Sequence, residues 1–327
     1  VGTGPYKLVE YQSGSYLKFE ANENYYKGEP SVKNIVFQII ENADTAILAL
    51  QNGEVDAYQM TPQQVKKLDL DASNLTAYSY TEGRVGYLQI NCNRVTDENV
   101  RKALLFAMDR KAMDDAAFES DEYYSIPYTF LPTNSQFYTE DGVEKYEQDV
   151  DKAKSMLEEA GVSGLKLKLG YISSDAVQSA QALLIQEQLK EVGVTVELAG
   201  GDGTAIANAM KDPDNEYDMY LGGYIMGIDP DTFSSLFEND GAYNYMHYSG
   251  YDTIDQLFEE GRSELDESAR KETYAKLQAA VQDTGAFYPI ISNNKILVVN
   301  NRIQGVEDAG LVPVYTFEDT SSLKIAE

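Results

Sequence analysis

The strongest constraint on the fold is an alternation of helix-like and strand-like segments between residues 150 and 198. Apolar residues at helical spacing run from Val150 to a stop at Gly161, and a β-rich run covers 165–172. A second helical pattern covers 176–192, and a further β-rich run covers 194–198. Strands joined through a helix usually pair in parallel with a right-handed crossover. The pattern therefore predicts an α/β architecture with largely parallel sheets.

Short strands and helices are predicted on either side of this region. Asp44 or Thr45 is positioned to cap a helix that Gly53 ends, and Pro62 fits the first position of the next helix. Five apolar residues after Asp97 fall on one helical face and are predicted to be core: Val100, Ala103, Leu104, Ala107 and Met108. The other predicted strands are 17–21, 32–40, 55–58, 87–91, 217–221, 287–291 and 296–299, with helices near 205–210, 254–261 and 269–282.

The chain is predicted to form two lobes. A strand-rich segment meets a helix-rich one near residues 91–96 without a flexible Gly/Ser linker between them. Open α/β sheets bind ligands at the carboxyl ends of their strands, and two lobes that face each other form a cleft that closes by hinge motion. This organisation is typical of binding proteins.

Composition narrows the class of protein. The 327 residues carry 54 acidic and 26 basic side chains, a net charge of −28, which opposes binding to nucleic acid and to anionic lipid. With one cysteine, Cys92, and one histidine, His247, neither an intrachain disulfide nor a structural zinc site is expected. No apolar run is long enough to cross a bilayer. A folded, acidic protein without cofactor or metal is expected.

Eight segments, in the same order, resemble the family 5 solute-binding proteins of the oligopeptide, dipeptide and nickel class. Each segment alone is a weak signal, because most of its residues are caps and core positions, but the shared order makes coincidence improbable. The segments are VGTGPYKL (1–8), ANENYYKGEPSVKNIVFQII (21–40), ALQNGEVDAY (49–58), VRKALLFAMDRKAM (100–113), DKAKSMLEEAG (151–161), IQEQLKEVGVTVEL (185–198), EYDMYLGGYIMGIDPDTF (216–233) and YSGYDTIDQL (248–257).

The resemblance implies a periplasmic-binding-protein fold of type II, with two lobes and a hinge. Residues 1–92 and 300–327 would form part of lobe I, and residues 93–299 would form lobe II. In this family a stretch of lobe I and a small extra domain precede VGTGPY, so both are expected to be absent here. The implied function is the substrate-binding component of an ABC importer, a monomer that captures peptides between its lobes and delivers them to a membrane permease.

The resemblance also implies an extracytoplasmic location, as a cell-surface lipoprotein or in the periplasm, and no enzymatic activity. No G-x-S-x-G motif accompanies His247, and AGGDG at 199–203 lacks the Lys-Ser/Thr end of a P-loop. A glycosidase would need only two carboxylates and is not excluded by counting. The alternatives kept open are an oligosaccharide receptor of the same family, a nickel-chelate receptor and a ligand-sensing module.

The segment from Gly222 to Asp231 is the first candidate for ligand contact. Paired glycines after a predicted strand allow a ligand to approach the backbone, whereas the competing interpretation is an ordinary turn with Asp229 or Asp231 as a helix cap. Similar proteins usually have Trp at Tyr224, and peptide binders often have an ammonium-binding Asp near Gly227, a role that Asp229 could fill. The candidates are Gly223, Tyr224, Met226, Gly227 and Asp229.

Two further groups complete the candidate site. Asn244, Tyr245 and His247 lie in a stretch that lines the cleft in similar proteins. A lone histidine is a poor metal site, which favours a hydrogen-bonded structural role for His247 over a role as a metal ligand. Tyr80, Arg84 and Tyr87 are expected on the lobe I side. Arg84 would clamp a carboxylate with both arms of its guanidinium, or else form an ion pair within the protein.

Overall fold

The computed structural model describes residues 2–118, 121–225, 227, 229–249, 252–313 and 315–326. The chain forms two compact units. Unit 1 comprises the chain up to Glu82 together with the part from Asn294 onward, and unit 2 is Gly83–Asn293. The predicted boundaries at 92 and 300 lie later in the sequence. The strand that ends at Ile90 pairs within unit 2, and the division into lobes I and II stays a prediction.

The N-terminal part of unit 1 contains an antiparallel three-stranded sheet and two short helices. Asn42 caps the first helix in place of the predicted Asp44 or Thr45, whereas Gly53 has the predicted left-handed conformation and Thr61-Pro62 begins the second helix as expected. The elements are β1 (Tyr6–Gln12), β2 (Tyr16–Ala21), β3 (Asn34–Gln38), α1 (Ala43–Gln51), β4 (Ala57–Met60), α2 (Pro62–Val65) and β5 (Leu75–Thr81).

Unit 2 contains a mixed sheet with helices on both faces. Its strands are β6 (Arg84–Ile90), β7 (Tyr124–Ser125), β8 (Lys166–Ile172), β9 (Thr195–Gly201), β10 (Met219–Ile225) and the first part of β11 (Phe287–Asn300). Its helices are α3 (Glu98–Phe106), α4 (Arg110–Phe118), α5 (Val150–Glu159), α6 (Ala176–Glu191), α7 (Gly203–Ala209), α8 (Ser234–Phe237), α9 (Asp252–Ser263) and α10 (Glu267–Asp283). The predicted helix–strand alternation between 150 and 198 is therefore confirmed.

The remainder of unit 1 is formed by the C-terminal part of the chain. The last residues of β11 pair with both β4 and β5, and Leu297 and Val299 form a core with Val32, Tyr80 and Val306. Two small antiparallel pairs complete the unit: β12 (Ile303–Gln304) with β15 (Lys324–Ile325), and β13 (Leu311–Val312) with β14 (Thr316–Phe317).

The prediction of largely parallel sheets is wrong. Among the described strands of unit 2, only β10, β8 and β9 pair in parallel, whereas β6 is antiparallel to both β10 and β11. The described pairs in unit 1 are all antiparallel. Parallel neighbours need a long crossover, which the helix α6 supplies between β8 and β9, but local sequence patterns do not reveal which distant strands become neighbours.

Two apolar cores cover the two faces of the unit 2 sheet. Leu88, Ile90 and Leu221 belong to the core that α3–α6 cover, and the predicted α3 face is fully part of it. On the opposite face, Tyr87 and Phe287 pack with residues of α8–α10. Because side chains alternate along a strand, consecutive residues of β6 and β10 serve different faces. In the described part of the chain, no helix is both long and apolar enough to cross a membrane.

Candidate functional site

The segment from Gly222 to Asp231 is partly strand and partly turn. Gly222, Gly223 and Tyr224 belong to β10, which continues to Ile225, four residues beyond the predicted strand end at Leu221. The added length comes from pairing with β6, in which Ile225 lies opposite Arg84. Gly227 has φ +90°, a conformation that favours glycine. Met226, another candidate, lies outside the described residues.

The edge of β10 that faces β8 is only partly paired. Pairing with β8 covers Met219 and Tyr220, whereas pairing with β6 continues to Ile225. Gly223 and Ile225 are exposed to solvent. Among the residues that the structure describes, no neighbouring strand therefore pairs with the last residues of β10 on this side.

The two glycines of β10 accommodate side chains of β6. A Cβ atom on Gly222 would lie 2.6 Å from the Tyr87 ring, and one on Gly223 would overlap the Arg84 guanidinium. Strand alternation separates these two contacts, because Tyr87 lies on the α8–α10 face and Arg84 on the other. The sequence predicted that these glycines admit a ligand, but in the structure each makes room for a neighbouring side chain.

Tyrosine rings line the α8–α10 face from the end of β10 towards its start. Tyr224 contacts Tyr243 at 5.9 Å between ring centroids, Tyr243 contacts Tyr245 at 6.2 Å, and Tyr245 contacts Tyr220 at 5.8 Å. We call these four residues the tyrosine ladder. Tyr224 is fixed by a 2.7 Å hydrogen bond between its hydroxyl and Ser235 Oγ. Tyr243 is 44% exposed and is the member most accessible to a ligand.

Two phenols of the ladder, those of Tyr220 and Tyr245, have raised pKa values. Burial raises the pKa of Tyr220 to about 12 and also raises the pKa of Tyr245. Burial likewise raises the pKa of Tyr87, which is 4% exposed and packs on Phe287 at 4.7 Å. These groups offer rings and neutral hydroxyls for binding.

The structure gives Asp229 two partners within unit 2. Its carboxylate accepts the backbone N–H of Asp231 and so caps a 3₁₀ turn over Pro230–Phe233, which is the competing interpretation made from the sequence. It also forms an ion pair with Arg270, with 3.0 Å between Oδ2 and Nη1. Its side chain is still 41% exposed. A role in binding a peptide ammonium stays a prediction, in which Asp229 would have to share its charge with Arg270.

Asn244, Tyr245 and His247 line a cavity of about 440 Å³ in unit 2. Asn244 is buried and donates from Nδ2 to the Glu238 carbonyl at 3.1 Å. His247 Nε2 lies 2.7 Å from the Met210 carbonyl, and because a carbonyl can only accept, Nε2 carries the proton. His247 also has φ +48°. These contacts fit a structural histidine that shapes the loop. In the described residues no group of three or more His, Cys, Asp or Glu side chains could hold a metal ion.

Tyr80 lies in unit 1, on β5, and contributes to that unit's core. Its hydroxyl accepts a hydrogen bond from Gln59 Nε2 at 3.0 Å, and burial raises its pKa. Three residues next to the candidates were not named as site residues from the sequence: Tyr243, Tyr220 and Ile225. Tyr243 and Ile225 lay within the two stretches considered, whereas Tyr220 lay outside both.

The family model of the bacterial extracellular solute-binding proteins, family 5 (middle region), matches residues 1–245. The chain belongs to this family. The resemblance predicted from the sequence is thus confirmed, and the family is one of binding proteins rather than enzymes. The name of the family describes its members as bacterial and extracellular.

Individual relatives agree with the family assignment. The structure of the ABC transporter substrate-binding protein CtaP from Listeria monocytogenes has a TM-score of 0.93 and 38% identity, covering 100% of this chain and 67% of that one. The oligopeptide-binding protein AppA of Bacillus subtilis is 27% identical, over 92% of this chain and 58% of its own length. The nickel-binding periplasmic protein of Escherichia coli is 24% identical, over 99% and 65%.

The first of these comparisons confirms the predicted α/β fold of the family. The chain spans a little over half the length of the Bacillus subtilis relative that it matches. The relatives are named for different solutes, since one is an oligopeptide-binding protein and another a nickel-binding protein. Family membership therefore establishes a solute-binding protein without specifying the solute.

Proposed function

We propose that this protein is the substrate-binding component of an ABC importer and that its solute is an oligopeptide. The partly unpaired edge of β10 is the observation that carries the proposal. From Gly223 to Ile225 the strand offers backbone donors and acceptors on its β8 side, at positions exposed to solvent. An extended peptide satisfies such an edge by adding itself as a further strand. The oligopeptide-binding name of the Bacillus subtilis relative supports the same class of solute.

The tyrosine ladder supplies the second part of the proposed site. Tyr224 projects from the same strand, and the exposed ring of Tyr243 lies beside it. Aromatic rings contact many kinds of side chain through their faces and edges, so they bind peptides of varied sequence. In this proposal the β10 edge binds the peptide backbone and the ladder binds its side chains.

In the proposed transport cycle, the peptide-bound form is favoured by its additional contacts and is the form that a membrane permease recognises. The protein would act outside the cytoplasm, anchored as a lipoprotein or free in the periplasm. No chemical step is involved. The permease is proposed from the name of the Listeria relative, an ABC transporter substrate-binding protein.

An oligosaccharide receptor is the second candidate. The tyrosine ladder favours it, because flat aromatic faces stack on sugar rings. In addition, Asp229, whose carboxylate is predicted to bind a peptide ammonium, is already paired with Arg270.

Isothermal calorimetry of the full-length protein separates the two candidates. We expect heat from a pool of short peptides and none from a pool of oligosaccharides. Peptides methylated on alternate backbone nitrogens should bind less tightly than their unmethylated counterparts, because a methylated nitrogen cannot donate to the β10 edge. Binding of sugars alone would move the assignment to carbohydrate uptake. Peptide binding that is insensitive to methylation at every position would refute the role of the β10 edge.

A further inference from the structure

Arg84 and Gly223 form a matched pair on neighbouring strands. In the β6–β10 ladder, Arg84 lies opposite Ile225, and Gly223 lies opposite Gly86. The Arg84 guanidinium folds back along the sheet and lies over Gly223, so that a Cβ atom there would overlap Cζ, Nη2 and Nε. The head group therefore rests against the strand that carries the unpaired edge.

Gly223 is not required by its own backbone conformation. It lies within a β-strand and does not have the positive φ that favours glycine, unlike Gly227. Any side chain could adopt this backbone geometry, but none could do so without displacing the guanidinium. Glycine at this position leaves the space that the Arg84 head group occupies.

Arg84 also differs from the other arginines of unit 2, because with the residues that the structure describes its side chain forms neither an ion pair nor a hydrogen bond. Arg94 pairs with Asp218, Arg270 pairs with Asp229, and Arg262 contacts three carboxylates. Arg101 and Arg110 donate to backbone carbonyls. In a chain with 54 acidic and 26 basic residues, a partly buried arginine without a carboxylate is a site left open for an anion.

We propose that Arg84, positioned by Gly223, binds a carboxylate of the peptide that lies along the β10 edge. The guanidinium would hold the carboxylate through two parallel N–H···O hydrogen bonds, which its planar fork favours. Partial burial strengthens such a pair relative to one in open solvent. The carboxylate is either the C-terminus of the peptide or an acidic side chain. This inference rests on the proposed peptide-binding function and adds the chemical group by which the ligand is selected.

The test compares three versions of one peptide in calorimetric titrations of the full-length protein: the free acid, the C-terminal amide, and an amide that carries one glutamate. Wild-type protein should bind the free acid about 10- to 100-fold more tightly than the plain amide, the range for one charge-assisted bidentate contact. If an acidic side chain is the natural partner, the glutamate-containing amide should recover the affinity.

Two variants test whether the preference for a peptide carboxylate depends on Arg84 and Gly223. Arg84→Gln should bind all three peptides with the affinity of the plain amide. Gly223→Ala retains the positive charge but displaces the guanidinium, so it should also lose most of the preference. Lys166→Gln, which removes one charge from an exposed position at the start of β8, is the matched control and should keep the preference. General destabilisation of a variant would not by itself abolish its preference for the free acid over the amide. Thermal unfolding of each variant measures its stability separately.

The possible failures are distinct. Equal affinity of wild type for all three peptides, or a preference that survives in both Arg84→Gln and Gly223→Ala, overturns the inference and leaves the peptide-binding function intact. Absence of binding by every peptide overturns the proposed function, and this inference with it.

Discussion

Replacing Asp114 by Asn should stabilise unit 2 at neutral pH. Asp114 lies on α4 and is fully buried, and burial raises the pKa of its carboxyl to about 8. Gln181 Nε2 donates to Oδ1 at 3.4 Å, and Oδ2 has no hydrogen-bond partner among the described residues. Nearby Arg110 lowers the pKa but does not offset burial. Asn has the shape of the protonated acid, so the substitution removes the titration and little else.

The sign and size of the effect follow from proton binding. Between pH 4 and pH 8 the folded chain keeps the proton that the unfolded chain has lost, so the unfolding free energy decreases as pH rises. The decrease is about 1.4 kcal/mol per pH unit, or about 4 kcal/mol between pH 4 and pH 7. The advantage of Asp114→Asn over wild type should grow by that amount over the same interval.

Urea unfolding followed by circular dichroism at pH 4, 5, 6 and 7 measures this difference. Asp115→Asn is the control, because the Lys111 hydrogen bond lowers the pKa of Asp115 and the opposite pH trend is expected. Parallel pH profiles for wild type and Asp114→Asn would refute the reasoning, since they would show that Asp114 titrates alike in the folded and unfolded chain.

Two substitutions and one chemical modification test individual contacts. Gly222→Ala would place Cβ 2.6 Å from the Tyr87 ring and should lower the unfolding free energy by about 1–3 kcal/mol, whereas a melting temperature equal to that of wild type would contradict this overlap. Tyr146→Phe removes a buried hydrogen bond from the phenol to the Gln282 carbonyl, 2.8 Å long, and should cost about 1–3 kcal/mol in urea unfolding; an unchanged midpoint would count against it. Burial raises the pKa of the Cys92 thiol to about 11, so mass spectrometry at pH 8 should find slow alkylation by iodoacetamide in the native protein and rapid alkylation in urea, and rapid native labelling would argue against the burial.

Local sequence patterns predicted most elements but not their neighbours. The helices around Ala153 and Ile185 and the strands that follow them, β8 and β9, agree with the apolar periodicity, which depends only on nearby residues. By contrast, β11 was predicted as two strands because Asn293 and Asn294 interrupt its apolar runs. It is one strand that changes partners at that point, from β6 to β4 and β5. Partner choice depends on long-range packing, which a short polar interval does not reveal.

The candidate site was predicted as a set of residues rather than as a geometry. The tyrosines and glycines near β10 were visible as unusual local composition, and Tyr224 does lie beside the exposed Tyr243. The contact of Arg84 with Gly223 could not be predicted, because it joins distant parts of the sequence and depends on the strand register. The Asp229–Arg270 ion pair escaped prediction for the same reason.

The contact between Arg84 and Gly223 also constrains how this protein can evolve. A larger residue at 223 would displace the guanidinium from its present position, whereas loss of the arginine removes this overlap and leaves the glycine free to change. The effect of a substitution at either position therefore depends on the residue at the other. In descendants of this chain, positions 84 and 223 should therefore change together, because in our proposal both determine which ligand is selected.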